Sequence, residues 1–73
     1  MNLIVDVGNT RIKAAVFESD RLIELLVFTE KELLEKVDFF LSKYVITDGI
    51  ISSVKVLTED LMQNLQKKTS FIV

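Results

Sequence analysis

Three apolar segments fill the first 28 residues, and the short connections between them restrict what the chain can fold into. Each segment is rich in Val, Ile and Leu, as strands are, and together they cover residues 2–7, 11–18 and 21–28. Gly8 and Asn9 lie in the first connection, and Ser19 and Asp20 make up the second. Connections this short join antiparallel neighbours. The sequence therefore predicts an antiparallel meander at the start of the chain.

The remaining residues predict two helices and two further strands. Thr29 and Glu32 have the spacing of a capping box, and apolar residues at helical spacing follow them. Residues 49–54 read as a fourth strand, Thr58 as the cap of a second helix, and residues 70–73 as a fifth strand. Right-handed crossovers then place both helices on one face of a sheet. The predicted fold is α/β, β-β-β-α-β-α-β, with a mixed five-stranded sheet of order 3-2-1-4-5.

The predicted strands are apolar on both faces, although both helices cover the same face. Simple alternation places Leu22 and Leu26 on the covered face and Ile4, Ile23 and Leu25 on the bare one. The chain also ends on the apolar letters SFIV. We therefore expect it to be the N-terminal part of a larger protein, and we expect the isolated chain to self-associate through its bare face.

Composition excludes several classes of function. The 73 residues contain neither Cys nor His, which removes disulfides, thiolate metal sites, the commonest zinc ligand and the commonest general base. The net charge of −2 argues against a nucleic-acid binder, which usually carries a basic face. No apolar run approaches the roughly 20 residues of a membrane span, and no signal peptide pattern is present. A cytoplasmic location is expected.

The stretch VDVGNTRIK places unusual polar groups between the first two apolar segments. A hairpin turn explains Gly8 and Asn9 taken alone, since both tolerate positive φ. It does not explain Asp6 at the end of an apolar strand, where a carboxylate is costly without water, a cation or a donor. Asn9 and Thr10 add polar donors, and Lys13 adds a positive charge on the returning strand. The set predicts a site for a nucleoside triphosphate, with backbone amides and Lys13 on its oxygen atoms and Asp6 on Mg²⁺, directly or through water.

This stretch also carries a family resemblance. The pattern Asp-x-Gly-Asn-Thr-x-x-Lys over residues 6–13 is similar to the opening motif of type III pantothenate kinases, which belong to the actin, Hsp70 and sugar-kinase superfamily of ribonuclease-H-like folds. The letters ISSV at residues 51–54 resemble that family's fourth strand. The resemblance implies ATP-dependent phosphorylation of pantothenate, the first step toward coenzyme A. It also implies Mg²⁺, a monovalent cation (K⁺ or NH₄⁺) and a homodimer.

The same resemblance implies roles for five residues. Asp6 would place Mg²⁺ and the phosphates, and the first phosphate loop would consist of Gly8, Asn9, Thr10 and Lys13. The chain departs from the family in lacking a proline soon after Ser53-Val54 and in lacking the Gly-x-Asp-Arg segment that carries the proposed general base. The second phosphate motif is missing as well, so we expect the first part of the first of two domains, with no catalytic residue and no activity alone.

Two alternatives to a pantothenate kinase stay open at the level of sequence. One is a Bvg accessory factor, a transcriptional activator type that shares the signature. The other is a kinase of the same superfamily acting on a different small molecule. For Ser52 and Ser53, a position facing the cleft and a local bond to the backbone are both open.

Overall fold

The computed structural model describes residues 1–53, 58–68 and 71–72, and it shows a single sheet with two helices. A short 3₁₀ turn over Glu30–Glu32 precedes the first helix. The strands and helices are β1 Asn2–Val7, β2 Ile12–Glu18, β3 Arg21–Phe28, α1 Leu33–Lys43, β4 Asp48–Ser53, α2 Glu59–Lys68 and β5 Phe71–Ile72. The mixed α/β sheet and the two helices predicted from the sequence are confirmed.

The strands lie in the order β3-β2-β1-β4-β5. β2 is antiparallel to both β1 and β3, whereas β4 is parallel to β1 and to β5. The fourth strand begins at Asp48, one residue earlier than predicted, and β5 is only two residues long. Val54, Ser70 and Val73, which the sequence assigned to strands, lie outside the described residues. β1 therefore sits in the middle of the sheet, between an antiparallel and a parallel neighbour.

One face of the sheet packs against both helices. Leu3, Val5 and Val7 of β1 are fully buried, and they share a core with Phe40 of α1 and Leu65 of α2. The opposite face, here called the open face, exposes large apolar side chains. These are Ile4, Leu22, Leu25, Val27 and Ile50, each between 40% and 51% exposed. The predicted bare face is thus present, although its members differ in part from the prediction.

The difference arises from a register shift between β2 and β3. Val16 is opposite Glu24 and Phe17 is opposite Leu22, so Ile23 has no partner on β2. Such an extra residue reverses the faces of the side chains on one side of it. Ile23 consequently packs against the core, while Leu22 lies half exposed on the open face. The sequence-based assignment of these two residues was wrong because simple alternation assumes a regular ladder.

The two predicted helix caps behave differently. The Thr58 hydroxyl accepts a hydrogen bond from the Leu61 N–H at 3.3 Å, which confirms the cap of α2. Thr29 makes no such bond. Its carbonyl accepts the Glu32 N–H at 3.0 Å, and its hydroxyl donates to the Glu32 carboxylate at 3.5 Å. The capping box predicted there was wrong because the 3₁₀ turn occupies that N–H and delays the α-helix to Leu33.

A cluster of Glu24, Lys43 and Tyr44, here called the Glu24 cluster, ties β3 to the end of α1. Glu24 Oε1 accepts hydrogen bonds from Tyr44 Oη at 2.6 Å and from Lys43 Nζ at 2.9 Å. The Tyr44 hydroxyl, and after it the Lys43 ammonium, lowers the pKa of Glu24. The same bonds raise the pKa of Tyr44 and that of Lys43. The cluster therefore joins the C-terminal end of α1 to β3, an edge strand of the sheet.

Candidate functional site

The loop between β1 and β2 is closed by its own backbone. The Gly8 N–H donates to the Arg11 carbonyl oxygen at 2.9 Å, just beyond the paired residues Val7 and Ile12. Gly8 does not adopt a positive φ. It is needed for a different reason, because a Cβ atom at this position would lie 2.9 Å from the same Arg11 oxygen. Close approach of the chain to itself, rather than left-handed backbone, thus accounts for the glycine.

This closure decides which amides a ligand can reach. The Gly8 amide already donates to the Arg11 carbonyl oxygen, so a phosphate would have to compete with that hydrogen bond to make the predicted contact. Asn9 and Thr10, at the tip of the loop, are exposed. Within the described ranges their backbone N–H groups have no bond to protein. The donors that this loop offers to an anion are therefore at its tip.

Asp6 and Lys13 lie next to the loop and directly opposite each other. They form a pair in the antiparallel register of β1 and β2, where opposed Cβ atoms are about 5 Å apart. Both side chains are exposed and lie on the open face. Across the described part of the chain, neither takes part in an ion pair. A carboxylate and an ammonium are thus placed side by side with both groups accessible to a ligand.

Ser52 continues this arrangement on the other side of Asp6. It is the partner of Asp6 in the parallel register of β1 and β4, and it is exposed. Lys13, Asp6 and Ser52 therefore form one line across three strands, here called the polar row. The sequence alone left the orientation of Ser52 open. The parallel pairing of the first and fourth predicted strands was the signal that could have placed it beside Asp6.

The surface beside the loop is concave. One depression is lined by Thr10, Thr29, Glu30 and Lys31. A second is lined by Arg11, Val27, Phe28, Thr29 and Glu32. Both are open to solvent and lie between the β1–β2 loop and the junction of β3 with α1. The loop tip therefore faces a recess that carries groups of both charges rather than a uniformly basic pocket.

The donor set fits Mg²⁺ only if a ligand brings further oxygen atoms. No group of three or more His, Cys, Asp or Glu side chains that could hold a metal occurs among the described residues. Mg²⁺ is commonly bound through one or two carboxylates together with waters and substrate phosphates. A single accessible carboxylate, Asp6, beside a loop whose tip exposes Asn9 and Thr10 is compatible with that mode of binding. The site therefore suits a metal that arrives with a phosphate.

Comparison with known proteins found close relatives for almost the whole chain, although no protein-family model matches it. The chain is 42% identical to the type III pantothenate kinase of Christiangramia forsetii, with 99% of the chain and 30% of that protein covered. It is 39% identical to the same enzyme of Flavobacterium johnsoniae, with 93% and 28% covered. It is 33% identical to the type III pantothenate kinase of Bacteroides fragilis, with 92% of the chain and 27% of that protein covered. The chain spans less than a third of the length of each relative.

Proposed function

Because the chain belongs to the family of type III pantothenate kinases, we propose that it supplies the first phosphate-binding hairpin of a longer enzyme. That enzyme transfers a phosphate group from ATP to pantothenate, the first step toward coenzyme A. Identity over nearly the whole chain to proteins named as such kinases supports the proposal. The observation that carries it is the exposed pair Asp6 and Lys13, directly beside a loop whose tip offers unbonded N–H groups.

The proposed place of the chain is the start of the first of two ribonuclease-H-like domains. The mixed sheet, with antiparallel strands followed by parallel ones and both helices on one face, supports such a half-domain of the actin, Hsp70 and sugar-kinase superfamily. The relatives are more than three times as long, which leaves room for the rest of that domain and for a second one.

In this proposal each residue of the hairpin has a distinct part in holding ATP. The amides and side chains of Asn9 and Thr10 donate to phosphate oxygens, and Lys13 adds a charge-assisted bond. Gly8 keeps the loop tight, so that those donors converge. Asp6 holds Mg²⁺, directly or through water. When bound, Mg²⁺ neutralises charge on the phosphates during transfer.

The chain lacks the parts that would complete the reaction. Phosphoryl transfer depends on holding the acceptor hydroxyl against a clamped phosphate, and the 73 residues include no Gly-x-Asp-Arg segment. We propose that pantothenate binding, the general base, the second phosphate contact and the site for K⁺ or NH₄⁺ lie in the remainder of the enzyme. The isolated chain should release no ADP from ATP and pantothenate.

Two further parts of the proposal concern partners. The whole enzyme is proposed to be a homodimer acting in the cytoplasm. None of the helices within the described ranges is long and apolar enough to cross a membrane. A role as a transcriptional activator is not favoured, because the matching relatives are named as kinases and the net charge is −2. The chain should therefore show no salt-dependent binding to DNA.

A pair of lysine variants tests the proposed function. Lys13→Ala should weaken binding of Mg·ATP to the chain by about tenfold or more, since a charge-assisted hydrogen bond is lost. Lys67→Ala removes an exposed lysine on α2, away from the loop, and should leave the affinity unchanged. Calorimetric titration of both variants and the wild type measures this. Equal losses in the two variants, or no binding by the wild type, would contradict the proposal.

A further inference from the structure

We propose that Ser52 is a positioning residue for the metal–nucleotide complex, with its hydroxyl accepting a hydrogen bond from a water molecule of the Mg²⁺ shell. The inference rests on the proposed function, because it deepens the description of the same site. It assigns to β4 a part in holding Mg·ATP through water, in addition to the hairpin between β1 and β2.

The first support is the placement of Ser52. Asp6 and Ser52 are partners in a parallel ladder, in which neighbouring strands lie about 4.8 Å apart. Along β4 the side chains alternate, with Ile51 buried and Ile50 and Ser52 exposed. Ser52 therefore projects from the open face, beside Asp6, at a separation that one water molecule can bridge.

The second support is a change of polarity that three strands share. One step along the open face from the polar row, the residues on the same strands are Ala15, Ile4 and Ile50. At the polar row all three strands change together to Lys13, Asp6 and Ser52. The change at the same level of three adjacent strands places an ammonium, a carboxylate and a hydroxyl side by side, as one polar ligand lying across them would require.

The third support is that the Ser52 hydroxyl has no hydrogen-bond partner among the residues that the structure describes. A serine near the end of a strand commonly bonds to nearby backbone. In the described part of the chain Ser52 makes no such bond, whereas its neighbour Ser53, which projects from the helix-covered side, does have an interaction. The hydroxyl of Ser52 is thus exposed and available as an acceptor.

The chemistry of the polar row indicates which part of Mg·ATP would lie beside each of its three side chains. Lys13, on one side of Asp6, would attract phosphate oxygens, and Asp6 would hold the metal that arrives with them. Mg²⁺ gives up its waters reluctantly and usually keeps several. Ser52, on the strand on the other side of Asp6, is about one strand spacing away, a distance at which its hydroxyl would reach one of those waters. Ser52 would therefore orient the shell of the metal rather than ligate it.

Serine variants of the full chain test this inference through the metal dependence of binding. The affinity for ATP is measured with Mg²⁺ and with EDTA, and the ratio of the two affinities is the readout. Ser52→Ala should lower that ratio by about 3- to 10-fold, the loss expected for one hydrogen bond, and leave metal-free binding unchanged. Ser52→Thr keeps the hydroxyl and should restore the ratio. Ser53→Ala, on the other face of β4, is the matched control.

The outcomes separate the inference from the function on which it rests. If Asp6→Asn lowers the ratio while Ser52→Ala behaves as Ser53→Ala does, the inference is overturned and the proposed function stands. If Ser52→Thr lowers the affinity ratio as much as Ser52→Ala does, the loss does not come from the hydroxyl and the inference also fails. If the wild-type chain binds ATP with no Mg²⁺ dependence, both proposals fail.

Discussion

Gly8 links the sequence of the hairpin to its geometry. Its N–H closes the loop onto the Arg11 oxygen, and the missing side chain makes that approach possible. The sequence predicted a glycine-dependent turn and the residues that flank it. The interpretation as an ordinary hairpin turn suggested positive φ as the reason, which the structure replaces with close packing of backbone on backbone. A contact between residues three apart depends on the exact path of the loop, which single-residue preferences do not determine.

Substitution of Gly8 should therefore destabilise the fold. In Gly8→Ala the new Cβ forces the Arg11 oxygen away and weakens the bond that closes the loop, at a cost of about 1–3 kcal/mol in the free energy of unfolding. Asn9→Ala alters the adjacent exposed residue without such a contact and should change stability by less than about 0.5 kcal/mol. Urea denaturation of the two variants measures the difference. Equal effects would show that the close approach is unimportant.

At the scale of elements, β3 shows where sequence patterning was insufficient. Alternation correctly placed Leu25 and Leu26, which follow the register shift, but it failed for Leu22 and Ile23, which precede it. An extra residue in one strand leaves no signature in the hydrophobic pattern when both neighbours are apolar. The identity of the element was thus predictable from the sequence, whereas the faces of its first residues were not.

The register shift predicts unequal costs for two adjacent apolar residues. Ile23→Ala removes side-chain atoms packed against the core and should lower the free energy of unfolding by about 1–3 kcal/mol. Leu22→Ala affects a half-exposed side chain on the open face and should cost less than about 0.5 kcal/mol. Chemical denaturation of both variants gives the comparison. If Leu22→Ala lowered the free energy of unfolding more than Ile23→Ala does, the two strands would pair with regular alternation and the register shift would be wrong.

The Glu24 cluster predicts how the attachment of α1 to β3 depends on pH. Hydrogen bonds from Tyr44 and Lys43 lower the pKa of Glu24 from its ordinary value of 4.5. Its stabilising effect is therefore complete above pH 4.5 and is lost as the pH falls through the lower pKa of the folded state. On the alkaline side, the raised pKa of Tyr44 means that its contribution is complete below pH 10 and is lost above it.

Thermal melting of wild type and Glu24→Gln across this range tests the prediction. The variant should melt at a lower temperature than the wild type near neutral pH. This difference in melting temperature should narrow below pH 4.5, because protonation removes the charge of the wild-type carboxylate. Asp20→Gln, in the exposed turn between β2 and β3, serves as a control for loss of one surface charge. A difference in melting temperature that stays constant down to strongly acidic pH would show that ionisation of Glu24 does not stabilise the fold.

For the whole molecule, the open face is the feature that most affects behaviour in solution. Among the described residues, five large apolar side chains are exposed there, while the other face packs against the two helices. The sequence predicted a bare face because both crossover helices must lie on the same side, an argument that depends only on chain topology.

Self-association of the isolated chain should depend on this face. Leu25→Lys places a charge on the open face and should reduce association. Val45→Lys makes the same change at a side chain that is 80% exposed in the connection between α1 and β4, and it should have no such effect. Light scattering over a range of protein concentrations measures both. A wild-type chain that stays monomeric at high concentration would contradict the prediction.

The central claim is that the hairpin between β1 and β2 binds the phosphates of ATP, and titration of the ¹⁵N-labelled chain with Mg·ATP tests it most directly. The account predicts that amide resonances shift at Asp6, at residues 9–13 and at Ser52, and that those of α1 and α2 stay in place. Shifts absent from the hairpin, or confined to another surface of the chain, would contradict it.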